Sequence, residues 1–143
     1  MKKSAAYMIN DTILLQAMSL TETGLWIAYG EVFSIRADEH EKLTTGILKS
    51  LANSIEDVAH PPQSQWKDVQ RPILEGAGVK TWAARGKKAK SVGIESDDNK
   101  ISMIPTANFR DYRGEGLEES AVHCSLDEVN LSSKLLEAFQ HAS

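Results

Sequence analysis

Leu25-Trp26-Ile27-Ala28-Tyr29-Gly30-Glu31-Val32-Phe33-Ser34-Ile35-Arg36 alternates at period two. Leu25, Ile27, Tyr29, Phe33 and Ile35 point one way, with Glu31 the single break. Trp26, Ala28, Gly30, Val32 and Ser34 point the other. β-Branched and aromatic side chains in this pattern predict a strand with one face on a core. The period then changes. Leu43, Ile47, Leu48, Leu51, Ile55 and Val58 fall on one helical stripe. Asp38 stands three residues before Glu41, the spacing of a capping box, and His60-Pro61-Pro62 ends the run. A strand followed by an amphipathic helix, rather than regular alternation of the two, predicts an α+β fold. An antiparallel or mixed sheet is expected under helices from Glu39 to Val58 and from Leu126 to His141.

Outward from this stretch, Thr12 to Met18 is a short apolar run that reads as a buried strand. Thr21-Glu22-Thr23-Gly24 reads as a turn. Ser64 is placed to cap a helix carrying Trp66, Val69, Ile73 and Leu74, with a joint at Pro72 and an end at Gly76 and Gly78. Thr81 to Lys88 suits a short helix anchored by Trp82. Ser91 to Glu95 and Ile101 to Pro105 flank Asp97-Asp98-Asn99-Lys100, which has turn chemistry, and so predict a hairpin. Ala107 to Glu119 is polar with two glycines and reads as a surface loop. Ala121 to Cys124 reads as one more strand. Ser125 and Glu128 repeat the capping-box spacing before the last helical stripe, Val129, Leu131, Leu135, Leu136, Ala138 and Phe139.

The 143 residues fit a single domain over 1–143, with ordinary globular composition and a net charge of −4. The charge is uneven. Met1 to Val79 has a balance of −3, Lys80 to Arg113 of +4, and Gly114 to Ser143 of −5. The one cysteine, Cys124, excludes an intramolecular disulfide and fits a reducing, cytoplasmic setting. The apolar run after Met1-Lys2-Lys3 is cut short by Asn10-Asp11, which argues against a signal peptide. No stretch approaches the ~20 apolar residues of a membrane span.

Candidate chemistry is sparse. His40, His60, His123 and His141 share no ligand spacing, so no metal is expected. Cys124 lacks a nucleophile's flanking motif, and no serine sits in an elbow of the Gly-x-Ser-x-Gly kind. Gly76-Ala77-Gly78 is too little for a phosphate loop, so no cofactor is expected. The paired carboxylates fall at caps, helix ends, turns and loops rather than in a cleft. No catalytic residue is assigned. The basic cluster Lys80, Arg85, Lys87, Lys88 and Lys90, with Trp82 inside it, has the composition of a small nucleic-acid patch. An acidic chain repels phosphate, so the alternative reading is a basic face balancing acidic flanks.

One block is distinctive. Leu74-Glu75-Gly76-Ala77-Gly78-Val79-Lys80-Thr81-Trp82 is followed by Lys87-Lys88-Ala89-Lys90-Ser91-Val92-Gly93-Ile94-Glu95, then by Ile101-Ser102-Met103-Ile104-Pro105-Thr106 and Leu135-Leu136-Glu137-Ala138-Phe139. With the Leu43 to Leu51 helix, this order resembles a family of immunity proteins from bacterial contact-dependent growth inhibition systems. The resemblance covers about two thirds of the chain. It implies a cytoplasmic protein that binds and neutralises a cognate toxin domain, often a nuclease, and that is not an enzyme. It carries over no catalytic residues and does not identify the interface. Toxin contacts are expected on exposed acids outside the basic cluster: Glu115, Glu118 and Glu119 in the polar loop, and Asp97 and Asp98 at the hairpin turn. A small nucleic-acid-binding domain using Lys80 to Lys90 is the alternative.

Overall fold

The computed structural model describes residues 1–65, 68, 71–73, 75, 89–107, 109 and 115–143. An antiparallel sheet carries helices on one face. The strands are β1 (Lys2–Ile9), β2 (Thr12–Leu20), β3 (Trp26–Arg36), β4 (Lys90–Asp97), β5 (Lys100–Ala107), β6 (Glu115–Gly116) and β7 (Val122–Ser125). Their order is β3-β2-β1-β4-β5-β6, and β7 also pairs with β5. Helices α1 (His40–Ala52) and α2 (Leu131–His141) cover one face. The fold is therefore α+β, as the change of period at Arg36 predicts.

β1 holds the middle of the sheet between β2 and β4. Its Ala6 faces the helices and packs with Ile13, Leu15, Val92, Ile94, Ile101 and Met103 against Leu43, Ile47, Leu51, Leu135 and Phe139. Its Ala5 and Tyr7 face the other way and join Leu14, Ile73 and Ala89 in a second apolar cluster. Tyr7 stacks at a tilt on Phe109, with ring centroids 5.8 Å apart. A strand buried on both faces shows no alternation. That is why Ala5 to Ile9 reads as a bare apolar run. Asn10-Asp11, which seems to cut that run, is the two-residue turn into β2, and Asn10 takes a positive φ of 54°. Asp98 takes φ 53° in the equivalent turn between β4 and β5. Asn and Asp tolerate this left-handed region better than most residues.

The helices are shorter than their apolar stripes. α1 stops at Ala52, and Lys2 Nζ donates to the Ser54 carbonyl just past its end at 2.9 Å. Beyond it the chain pairs with the end of β2: Leu20 N–H donates to Ile55 O, and Val58 N–H donates to Leu20 O. Ile55 is exposed as a result. Neither capping box forms. Asp38 pairs instead with Arg36, Glu39 with Lys42, and Ser125 donates to Asp127. Val129 lies outside α2 and is exposed. Buried serines join α1 to the sheet: Ser4 Oγ donates to Ser50 Oγ at 2.7 Å, and Ser54 Oγ to Met18 O at 2.6 Å.

β3 is bulged. Gln16 pairs with Val32 and Met18 with Ala28, so two steps on β2 face four on β3. The extra length is taken up around Gly30, whose φ of +98° suits glycine. Because the inserted length is even, Ile27, Phe33 and Ile35 keep one side and Ala28, Val32 and Ser34 the other. The expected second-helix positions Trp66, Val69 and Leu74, the short helix from Thr81 to Lys88, and Trp82 lie outside the described residues.

Candidate interaction surface

The expected contact residues gather along the outer edge of β5. On one side β5 pairs with β4. On the other it pairs with β7 over Lys100 to Met103, and with β6 at Thr106 and Ala107. Glu115 lies in β6 opposite Ala107. The next turn is fixed by Leu117 N–H donating to Pro105 O at 2.8 Å and Ala121 N–H to Glu118 O at 3.2 Å. Glu118 and Glu119 occupy that turn, and both are exposed. The polar loop thus brings Glu115, Glu118 and Glu119 together beside one end of β5.

Asp97 and Asp98 are exposed at the other end, where β4 turns into β5. Seven residue steps separate the two ends, about 23 Å at the usual strand rise. Two further acids stand at the Asp97–Asp98 end. Leu126 N–H donates to Asn99 O at 2.7 Å, which draws the chain after β7 against this turn and brings Asp127 and Glu128 there. The sequence reading takes Glu128 as half of a capping box and so overlooks both. Among the described residues, none of these seven carboxylates is in an ion pair. Lys100 and His123 are interspersed, and His123 Nδ1 lies 3.0 Å from Ser102 Oγ. An edge of unneutralised carboxylates projects a negative field over roughly a Debye length, about 8 Å at physiological salt.

Among the described residues, the remaining titratable candidates stand apart from this edge or singly within it. Cys124 is half-buried in β7 and packs on the main core. Burial pushes its thiol up, the Glu128 carboxylate adds to this, and Lys134 opposes it weakly. A raised thiol is a poor nucleophile at neutral pH. His40 Nδ1 stands 3.4 Å from Ser132 Oγ between the helices, far along the chain from His123 and Cys124. Among the described residues, no three His, Cys, Asp or Glu side chains are placed to hold a metal ion. No helix among them is long and apolar enough to cross a membrane. Of the basic cluster only Lys90 is described. It opens β4, opposite Met8 of β1. Lys80, Arg85, Lys87 and Lys88 lie outside the described residues.

No family model and no curated protein matches the sequence. Solved structures do match the fold. A protein of unknown function from Neisseria meningitidis aligns at TM-score 0.79 and 19% identity, covering 99% of this chain and 95% of its own. A chain of the CdiA-CT/CdiI toxin and immunity complex from Yersinia pseudotuberculosis aligns at TM-score 0.78 and 15% identity, covering 99% and 97%. The described sheet and helices therefore have the fold of a chain from a bacterial toxin–immunity complex.

Proposed function

We propose that this chain is an immunity protein of contact-dependent growth inhibition. In this reading it binds and neutralises a cognate toxin domain in the cytoplasm and performs no chemistry of its own. The observation that carries the proposal is the match in fold, over nearly the whole of both chains, to a chain of a toxin and immunity complex. The acidic margin of β5 supports it. A nuclease is positive where it grips phosphates, so a row of free carboxylates is complementary to it and speeds encounter. The toxin is accordingly proposed to be a nuclease. A standard interface of ~1,600 Å² in total is within the reach of such a margin and its neighbours.

The test is co-expression with the toxin domain encoded beside this chain's gene. Protection of the cell, with a complex that survives high salt during purification, is the expected result. Loss of a nucleic acid from the chain as salt rises, with no toxin bound, would instead favour the basic cluster and a nucleic-acid module.

A further inference from the structure

β3 ends the sheet opposite the β5 margin, and among the described residues it pairs with β2 alone. Beyond the bulge its regular stretch runs from Val32 to Arg36. The outer side of such a strand leaves N–H and C=O groups open to another strand. Ser34 and Arg36 are exposed there, and Phe33 and Ile35 are half-buried. A groove of about 340 Å³ runs beside this stretch, lined by Phe33 and Ile35 from β3 and by Glu41, Thr45, Gly46 and Lys49 from α1. Lys42 also stands on the α1 wall, where Glu39 holds it at 2.8 Å.

The charges on this wall are arranged symmetrically. Glu41 and Lys49 each lie four residues from Thr45, the acid toward the start of α1 and the base toward its end. Residues four apart are neighbours on a helix, so the three share one side, and all are exposed. Among the described residues neither Glu41 nor Lys49 is in an ion pair. In a twofold interface, residue i meets j and j meets i. An axis through Thr45 therefore sets each Glu41 against Lys49 of the other copy. The strand matches itself in the same way. An axis at Ser34, perpendicular to the sheet, makes two β3 strands antiparallel and puts Phe33 of one copy across from Ile35 of the other. Aromatic and β-branched side chains make favourable cross-strand pairs. One axis serves both elements, because Gly46, next to Thr45, lies over Ile35, next to Ser34.

We propose that the occupant of this groove is a second copy of the chain, in a twofold dimer built on the β3 edges and the two α1 helices. Pairing the edges satisfies their open backbone groups and covers a strand that would otherwise recruit other chains. The helices come side by side across the axis with their free acids and bases matched. The β5 margin lies at the far end of the sheet and stays open in the dimer. The inference is therefore independent of toxin binding.

Sedimentation velocity on the full chain is the test. A monomer–dimer equilibrium is expected, with a dissociation constant roughly in the micromolar range that suits a small interface. Glu41→Lys and Lys49→Glu should each weaken association by about tenfold or more, because like charges then face each other twice across the axis. The double variant exchanges the two charges and should regain association to within about threefold of the original chain. Both positions are exposed, so unfolding midpoints of all three variants should stay close to that of the original chain. A chain still monomeric at hundreds of micromolar, a dimer indifferent to both reversals, or a double variant as weak as either single one would overturn the proposal. Because the chain is measured alone, each of these results leaves toxin neutralisation standing.

Discussion

Gly46 of α1 lies directly over Ile35 of β3. A methyl group on Gly46 would run into Ile35 Cδ1 and come within 3.1 Å of Leu15 Cδ1. The helix therefore seats on the sheet because one of its core positions has no side chain. Gly46→Val should destabilise the protein by roughly 1–3 kcal/mol through overpacking. Gly46→Ala should cost less, since alanine favours helix by about 1 kcal/mol and the Ile35 tip can swing outward. Ile35→Val removes the clashing methyl and should improve the Gly46→Ala background. Urea midpoints across this double-mutant cycle measure it. Independent, additive effects would show that the two residues do not touch.

Leu51 and Leu48 share a helical stripe in the sequence, yet only Leu51 is core. Leu51 is 3% exposed and Leu48 38%. Leu51→Ala should cost about 2–5 kcal/mol, and Leu48→Ala clearly less, because its side chain still meets water. Equal losses in chemical denaturation would mean that α1 is rotated from the position described.

These two leucines show how far the sequence carries. Period and side-chain type found β3 and the buried stripe of Leu43, Ile47 and Leu51, and turn chemistry at Asp97 to Lys100 found the β4–β5 hairpin, although both of its strands bury adjacent residues. β1 escaped because Ala5 and Ala6 are buried on opposite faces, and a doubly buried strand has no period to read. The helix ends escaped because Ile55 and Val58 continue the apolar spacing of α1. Their backbone is instead claimed by β2 through Leu20, a tertiary pairing that local pattern cannot show. At the surface, the turn chemistry around Asp97 was legible; of the stretch read as a loop from Ala107 to Glu119, Ala107 instead ends β5 and pairs with Glu115 of β6, and residues 108 and 110–114 lie outside the described residues. The common alignment of Asp97 and Glu115 along β5, and the arrival of Asp127 and Glu128 beside Asp98, depend on long-range pairing.

Cys124 supplies a pH prediction. Its thiol is raised above its ordinary value of 9.0, chiefly by burial. The folded state therefore holds this proton more tightly than the unfolded chain. Its stabilising share is complete below the unfolded value and is lost as pH rises through the folded one. Stability should fall on the alkaline side, above about pH 9, and Cys124→Ala should reduce that slope. In the native protein, thiol-reactive reagents near pH 8 should label Cys124 more slowly than in the urea-unfolded chain. Equal labelling rates in the two states would contradict the burial assigned to it.

The β5 margin gives the last prediction. Glu115, Glu118 and Glu119 sit together at one end, exposed and without ion pairs among the described residues. Reversing all three to Lys should leave the unfolding midpoint nearly unchanged, since solvated charges contribute little to stability. Association with the toxin domain should slow by about tenfold or more at low salt, because steering depends on the summed field. The residual association should also depend less on ionic strength. Reversing Asp97 and Asp98, about 23 Å away along β5 by strand rise, separates two arrangements. If the toxin lies along the whole margin, both sets slow association and their effects on the logarithm of the rate roughly add. If it sits at the loop end, only the glutamates matter. Stopped-flow association at several salt concentrations distinguishes these cases. Unchanged kinetics in both folded variants would remove this margin from the interface.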